Sequence, residues 1–365
     1  MQGYYFINTD LKNGRAHTYQ ILNTSSSINS RLSIGLVAPR YGTSPGEEEL
    51  KRLYGLDYVP DLNILFNFGL TSPGTLAFIL FNISATAFLL SQKITKGMNF
   101  IYVRSSFFLP LVIIAWLFRV PCFYETHRKP LTSTERFLDG FLSRLAFGII
   151  LVSDYIKGYY TRYQKPLLVS HDAVSLERFL ISMARGEARI KLGLPSGKKI
   201  CLYAGTISKL KGLDYVLKSA RLVPGIDFIL VGILAPEFVG VTLPSNVKVL
   251  PKVNQKEIPM YLRAADVLLL PHPKGEYSQS PLKLFEYMAS GTPIVASDLP
   301  SIREILDTSN SILVDPENPE GLVTGINKAL EEDAKVLGVK AKEDVRSHTW
   351  EARGIAIAEF IKKII

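Results

Sequence analysis

Short apolar runs of strand length alternate with stretches of helical spacing over most of the chain, the pattern that builds parallel sheets from βα units. In the first half the runs are Y-Y-F-I-N (4–8), L-S-I-G-L-V-A (32–38), N-F-I-Y-V-R (99–104), P-C-F-Y-E (121–125) and G-I-I-L-V-S (148–153). A helix is expected over 134–147, and residues 42–50 read as a loop leading into another. In the second half strands are expected at 199–204, 227–231, 247–250, 267–271, 293–297 and 311–314, with helices over 214–222, 255–265 and 281–290. Six short strands with intervening helices make one doubly wound domain. The polar stretch 182–198 reads as the boundary before it, and the end, W-E-A-R-G-I-A-I-A-E-F-I-K-K-I-I, as one amphipathic helix. Two longer apolar runs, 76–90 and 106–118, fall short of the roughly 20 residues that cross a bilayer. They read as core helices lying on a sheet, or as helices that dock on a membrane face or line a groove for a lipid tail, rather than as spans.

Length and composition narrow the class. At 365 residues the chain has room for two domains, and 47% hydrophobic with 21% charged residues excludes a disordered polymer. Two cysteines, Cys122 and Cys201, each inside an apolar run, exclude a disulfide framework and fit a reducing compartment. The start, M-Q-G-Y-Y-F-I-N-T-D, has no basic stretch ahead of an apolar one, so no secretory leader is expected. The net charge of +9 is concentrated: residues 91–165 hold eleven Lys and Arg against four Asp and Glu, a local +7. A basic surface suits nucleic acid, anionic lipid or simple solubility, and the interleaved apolar runs shift the weight toward lipid.

In an open parallel sheet ligands bind beyond the carboxyl ends of the strands. Two such places carry chemistry. In A-G-T-I-S-K-L-K-G (204–212) a strand ends at Gly205 and Lys209 and Lys211 precede Gly212; glycine lets backbone approach an anion and lysine supplies a charge for phosphate, although the same residues could merely solubilise a turn. In S-P-L-K-L-F-E-Y-M-A-S-G (280–291) Ser280 reads as an N-cap, Pro281 as the first helical residue and Gly291 as the stop. The amides around Ser280, Leu282 and Lys283 then offer an anion site at a helix N-terminus. Glu286 shares a face with Leu282 and Lys283; it could accept two hydrogen bonds from a ribose diol or pair with Lys283 in solvent, and spacing alone leaves both open.

The stretch 246–306, together with Y-A-G-T-I-S-K-L-K-G upstream, resembles the nucleotide-sugar domain of GT-B glycosyltransferases, specifically the retaining glycosyl transferases group 1 (family 4). The likeness continues more weakly through I-Y-V-R-S, F-Y-E-T-H-R and V-S-H-D-A-V-S-L-E-R-F. It implies an α/β GT-B fold: two Rossmann-like doubly wound domains facing across a cleft, an acceptor-binding one over 1–185, a nucleotide-sugar-binding one over 186–350, and a final helix, 351–365, packing back on the first. It implies that Lys211 holds the donor diphosphate and Glu286 the ribose. Thr206 stands where the family usually has arginine, with Lys209 nearby to compensate, and Ser278 stands where the first of two paired glutamates is expected. Gly14 and Arg15 match a loop near the donor phosphates, His127 matches a sugar contact, and Arg104 holds the same edge position after its own strand. The remaining histidines, His17, His171, His272 and His348, read as structural or surface residues.

The function so implied is retaining, metal-independent hexosyl transfer from a nucleotide diphosphate-sugar to a lipid-linked or polysaccharide acceptor. The enzyme would work in the cytoplasm, peripherally on the inner face of an anionic membrane, with no nucleic acid partner. The resemblance implies no cofactor or metal, an arrangement that the absence of any Asp-x-Asp suits, and the departing phosphate would itself take the acceptor's proton. Two other readings remain: a subunit of the same fold that binds but has lost turnover, favoured by Thr206 and Ser278, and a GT-B sugar-nucleotide epimerase, which would want more carboxylates and histidines around 266–290 than are present.

Overall fold

The apolar runs pair side by side, and every ladder among the described residues is parallel. This computed structural model describes residues 1–56, 58–70, 72–275 and 281–365. It divides into two units: Met1–Asp172 with Trp350–Ile365, and Ala173–Thr349.

The first unit carries seven strands: β1 (Gln2–Phe6), β2 (Ser33–Pro39), β3 (Leu62–Leu65), β4 (Phe100–Val103), β5 (Cys122–Thr126), β6 (Gly148–Leu151) and β7 (Leu167–Val169), in the order β3-β2-β1-β4-β5-β6-β7. The alternation pattern misses β3 and β7. Both are edge strands of three or four half-buried residues, so neither presents the continuous apolar run of a strand covered on both faces. The run 76–90 lies inside one helix, Thr75–Lys96, that ends on Gly97 in the left-handed region. At 22 residues it is longer than the run suggests, and by length and composition it is able to cross a membrane; 28% of its most apolar window is buried in the fold. The run 106–118 forms a short turn, Ser106–Phe108, and a helix, Leu109–Leu117. The final helix, Trp350–Ile364, belongs to this unit, where Arg353 is buried and bonds the carboxylate of Glu125 at 2.8 Å.

The second unit carries β8 (Lys199–Ala204), β9 (Ile226–Val231), β10 (Val247–Leu250), β11 (Val267–Leu270), β12 (Ile294–Ser297) and β13 (Ile312–Val314), in the order β10-β9-β8-β11-β12-β13. Apolar clusters cover both faces of this sheet. At its amino end Asp266 gathers three donors, Arg189 (2.5 Å), Arg185 (2.9 Å) and the Ile200 amide (2.8 Å). This unit starts earlier than the expected boundary at 185/186. The Val174 amide donates to the His348 carbonyl at 3.0 Å and Phe179 sits in the unit's core, so residues ahead of the polar stretch 182–198 are already tied in and the division falls at 172/173.

Candidate functional site

In both sheets the strand order reverses once, between β1 and β4 and between β8 and β11, and the carboxyl edge at such a switch point is where an open parallel sheet leaves room for a ligand. The residues that follow these four strands therefore define the sites.

In the second unit β8 ends at Ala204, whose amide donates to the Tyr287 hydroxyl at 2.9 Å and so pins the strand to the helix Leu282–Ser290. Lys283, on the first turn of that helix, reaches back across the strand end. Its ammonium donates to the Tyr203 hydroxyl at 2.6 Å, and that hydroxyl donates to the Thr206 carbonyl at 2.8 Å. Gly205 has φ +142°, a backbone conformation that side-chain-bearing residues rarely adopt, and a β-carbon there would also lie 2.6 Å from Lys283 Nζ and displace it. Lys211 closes the following short turn, Lys209–Lys211, and Gly212 (φ +76°) then starts the helix Leu213–Leu222. Gly212 packs against the end of β11, where a β-carbon would meet the Pro271 carbonyl oxygen at 1.6 Å. The loop from β8 is thereby pressed onto the residues that follow β11, Pro271 and His272.

Three basic side chains, Lys211, Lys283 and His272, act on one another here. Burial, then the neighbouring Lys211, holds the Lys283 ammonium well below the ordinary lysine range, and burial lowers Lys211 as well. His272 is buried with no hydrogen-bond partner on Nε2 among the described residues, and burial together with Lys283 and Lys211 keeps its imidazole neutral. Positive groups crowded against their own desolvation are stabilised by an arriving polyanion. The Leu282 and Lys283 amides, at the start of a nine-residue helix, have no partner inside that helix and add to the field. Glu286 lies one turn on from Lys283. Burial raises its carboxyl despite Arg178, whose Nη1 is 3.7 Å away, and Lys283.

Several expectations change here. Pro281 is the N-cap rather than the first helical residue, and the helix starts at Leu282. Ser280 and Ser278 lie outside the described residues. Thr206 contributes its carbonyl to Tyr203 while its side chain is exposed, and Lys209 is exposed with its amide donating to Glu237 at 3.2 Å, so neither side chain enters the Lys211–Lys283 cluster. Glu286 is paired with Arg178, because Lys283 is taken by Tyr203. His272, first read as structural, stands within the cluster. Its place directly after the strand run V-L-L-L-P was the available signal, whereas Tyr203 and Arg178 carry no local one.

In the first unit, Arg104 follows β4 and His127 follows β5, and the two side chains meet, Arg104 Nη2 to His127 Nδ1 at 3.2 Å. Because an arginine only donates, Nδ1 accepts and the Nε2 proton goes to Glu125 Oε1 at 2.5 Å. Burial and Arg104 keep this imidazole below its usual range, so it stays neutral. Burial by itself would raise Glu125; Arg353, His127 and Arg104 outweigh it, and the carboxyl is held well below the usual range. Tyr102, Gln20 and Arg353 also donate to Glu125, which is wholly buried. Sequence reading passed over Glu125, since a carboxylate inside a strand shows its partners only when the fold is formed. Gly14 and Arg15 lie between β1 and the helix Ala16–Asn29: the Gly14 amide donates to the Tyr54 hydroxyl at 2.9 Å, and Arg15 is an exposed N-cap whose amide donates to Asn13 at 2.8 Å.

Arg104 and His17 also line a large apolar cavity of about 1510 Å³, open along one side, between the helices Thr75–Lys96 and Leu109–Leu117. Among the described residues no group of three His, Cys, Asp or Glu is gathered to hold a metal ion.

Two parallel-sheet Rossmann-like units with a cationic cradle at the β8–β11 switch point define the GT-B class of fold. The family of glycosyl transferases group 1 matches residues 198–332, which lie within the second unit. Among characterised relatives, a D-inositol 3-phosphate glycosyltransferase of Streptomyces bingchenggensis is 28% identical over 250 residues, covering 62% of this chain and 54% of that protein. One of the same name from Arthrobacter is 36% identical over 147 residues, covering 36% and 34%. The chain spans about half the length of the curated relatives it matches, or less. Among solved structures, sucrose-phosphate synthase from Thermosynechococcus elongatus superposes with a TM-score of 0.81 at 16% identity, covering 100% of this chain and 99% of that one. Anabaena HepE in complex with UDP-glucose superposes at 0.73 with 18% identity, covering 100% of each. These likenesses establish the fold.

Proposed function

We propose that this chain is a retaining, metal-independent glycosyltransferase that moves a hexosyl group from a nucleoside diphosphate-sugar to a lipid-linked or polysaccharide acceptor at a membrane surface. The observation that carries the reading is the cluster of Lys211, Lys283 and His272 at the switch point of the part that matches the family. As the bond from the sugar's anomeric carbon to the diphosphate oxygen breaks, negative charge grows on the leaving group, and preorganised cations there stabilise it in the role a divalent ion plays elsewhere. The acceptor oxygen bonds to the anomeric carbon on the same face, and its proton passes to the leaving phosphate oxygen, so no general base is assigned. Glu286, held by Arg178, is placed to accept from the ribose hydroxyls. His127 and Arg104 are the acceptor-side groups.

The membrane reading is supported by the surface of the first unit. Phe137 and Phe141 are exposed, and beside that stretch Lys129 lies over Tyr155 (4.4 Å) and Arg162 over Tyr159 (4.0 Å), a mixture of cations and aromatic rings suited to an anionic interface. We place the protein peripherally on the cytoplasmic face on that basis.

The test is a panel of uridine, guanosine and adenosine diphosphate-sugars incubated without acceptor, with and without a chelator. Slow release of free sugar from one of them, unaffected by the chelator and reduced about 100-fold or more in Lys211→Ala, is expected. Nucleotide binding without any turnover would leave a binding subunit, and conversion of the donor's sugar without release would leave an epimerase.

A further inference from the structure

The apolar cavity of the first unit has no part in holding a nucleotide. Its walls are Phe78, Ile83, Ala87 and Leu90 from the helix Thr75–Lys96, and Ile113 and Ile114 from the facing helix. At about 1510 Å³ it exceeds the roughly 300–1,000 Å³ of a drug-sized site, and it is open along one side. Leu76, Ile79 and Ile83 on one helix, with Trp116 and Leu117 on the other, are exposed, so apolar surface continues from the cavity to the outside. The opposite end is polar. It is formed by Asn8 after β1, His17 and Arg104 after β4, at the switch point of the sheet. Arg104 spends donors on Gln20 and His127, and its fork of five N–H groups leaves others over. A long apolar trough ending on a guanidinium beside a neutral imidazole has the polarity of an amphiphile: hydrocarbon along the trough, one anionic group at its head.

We infer that this cavity is the acceptor's tail site, and that the acceptor is a hydroxyl-bearing group carried on a single-chain alkyl or prenyl phosphate, whose hydrocarbon lies between the helices Thr75–Lys96 and Leu109–Leu117 while Arg104 holds the phosphate. The inference rests on the reading that the first unit receives the acceptor, and it selects a lipid over a polysaccharide. Charge complementarity favours an anion over a neutral lipid. The head of such a molecule lies at Arg104, within one residue contact of His127, where the transferred sugar is expected.

The test uses the full chain with octyl, decyl and dodecyl phosphate below their micelle concentrations, compared with dodecanol and inorganic phosphate, read by calorimetry. Affinity is expected to rise about fourfold per added methylene, with dodecanol weaker than dodecyl phosphate and inorganic phosphate weakest. Ala87→Trp, which fills the trough, should cut dodecyl phosphate binding at least tenfold. Ile114→Trp does the same from the facing wall and serves if the first variant does not fold, and unfolding temperature without ligand identifies folded variants. Arg104→Gln should narrow the gap between dodecyl phosphate and dodecanol. No binding of dodecyl phosphate, or binding that the folded wall variant leaves unchanged, overturns the tail site. Uridine, guanosine and adenosine diphosphates titrated into the same samples report on the donor reading separately, because those ligands address the second unit.

Discussion

Lys283 shows how one side chain can carry opposite signs of energy in two states of a site. In the folded unit its ammonium is desolvated and repelled by Lys211, so its ionised form is disfavoured. The unfolded chain holds that proton more tightly than the folded one, and stability therefore rises with pH through the interval between the lowered value and the ordinary one near 10.5. Binding a diphosphate reverses the preference and takes up a proton. Nucleoside diphosphate affinity should accordingly weaken as pH rises through that same interval, and Lys283→Arg, which stays charged, should flatten the slope. Titration calorimetry in two buffers of different ionisation enthalpy measures the proton uptake, and a pH-independent affinity in the original protein would contradict the assignment. Lys211 was legible in sequence from its position before Gly212. The Lys283–Tyr203–Thr206 chain was not, because it joins residues 80 positions apart.

At the scale of elements, the glycine that begins the helix Leu213–Leu222 does more than permit a turn. Gly212 has φ +76°, and its α-carbon faces the Pro271 carbonyl so closely that a side chain would overlap it. Gly212→Ala should push the β8 loop off the end of β11 and separate Lys211 from His272. The expected outcome is loss of nucleoside diphosphate binding together with destabilisation of about 1–3 kcal/mol, read by ligand titration and urea unfolding. The strand and helix positions around this loop were readable from period and caps, since each is decided by its own few residues. The edge strands β3 and β7 were not, because a half-buried strand of three or four residues owes its pairing to a neighbour far along the chain.

At the scale of the molecule, the chain's end returns to its beginning. Arg353, on the final helix, is buried against Glu125 on β5, and the Ser170 and His171 carbonyls accept from the same guanidinium. Glu125→Gln would leave that guanidinium without its nearest counter-charge and should cost about 3–5 kcal/mol in the first unit's unfolding by urea. It would also replace the carboxylate that orients His127 by a neutral amide, a weaker acceptor whose nitrogen only donates, so turnover should fall even where the protein is folded. The surface makes a separate prediction. The +7 segment and its exposed aromatic rings should bring the protein down with anionic vesicles at roughly 0.01 M salt and release it near 1 M, in a sedimentation assay; a supernatant protein at low salt would count against the membrane reading.

Local pattern determined that this chain is a run of βα units, where most of its central strands lie, which loop carries Lys211 and which helix carries Glu286, since those features depend on periodicity and on residues within a turn of one another. Only the tertiary structure decided that His272 stands among the lysines, that Arg178 rather than Lys283 faces Glu286, that Glu125 orients His127, and that two apolar helices leave a trough ending on Arg104. Each of these is a meeting of side chains from elements far apart in the chain that parallel strand pairing brings together, and the order of strands in a sheet is written in no single stretch of sequence.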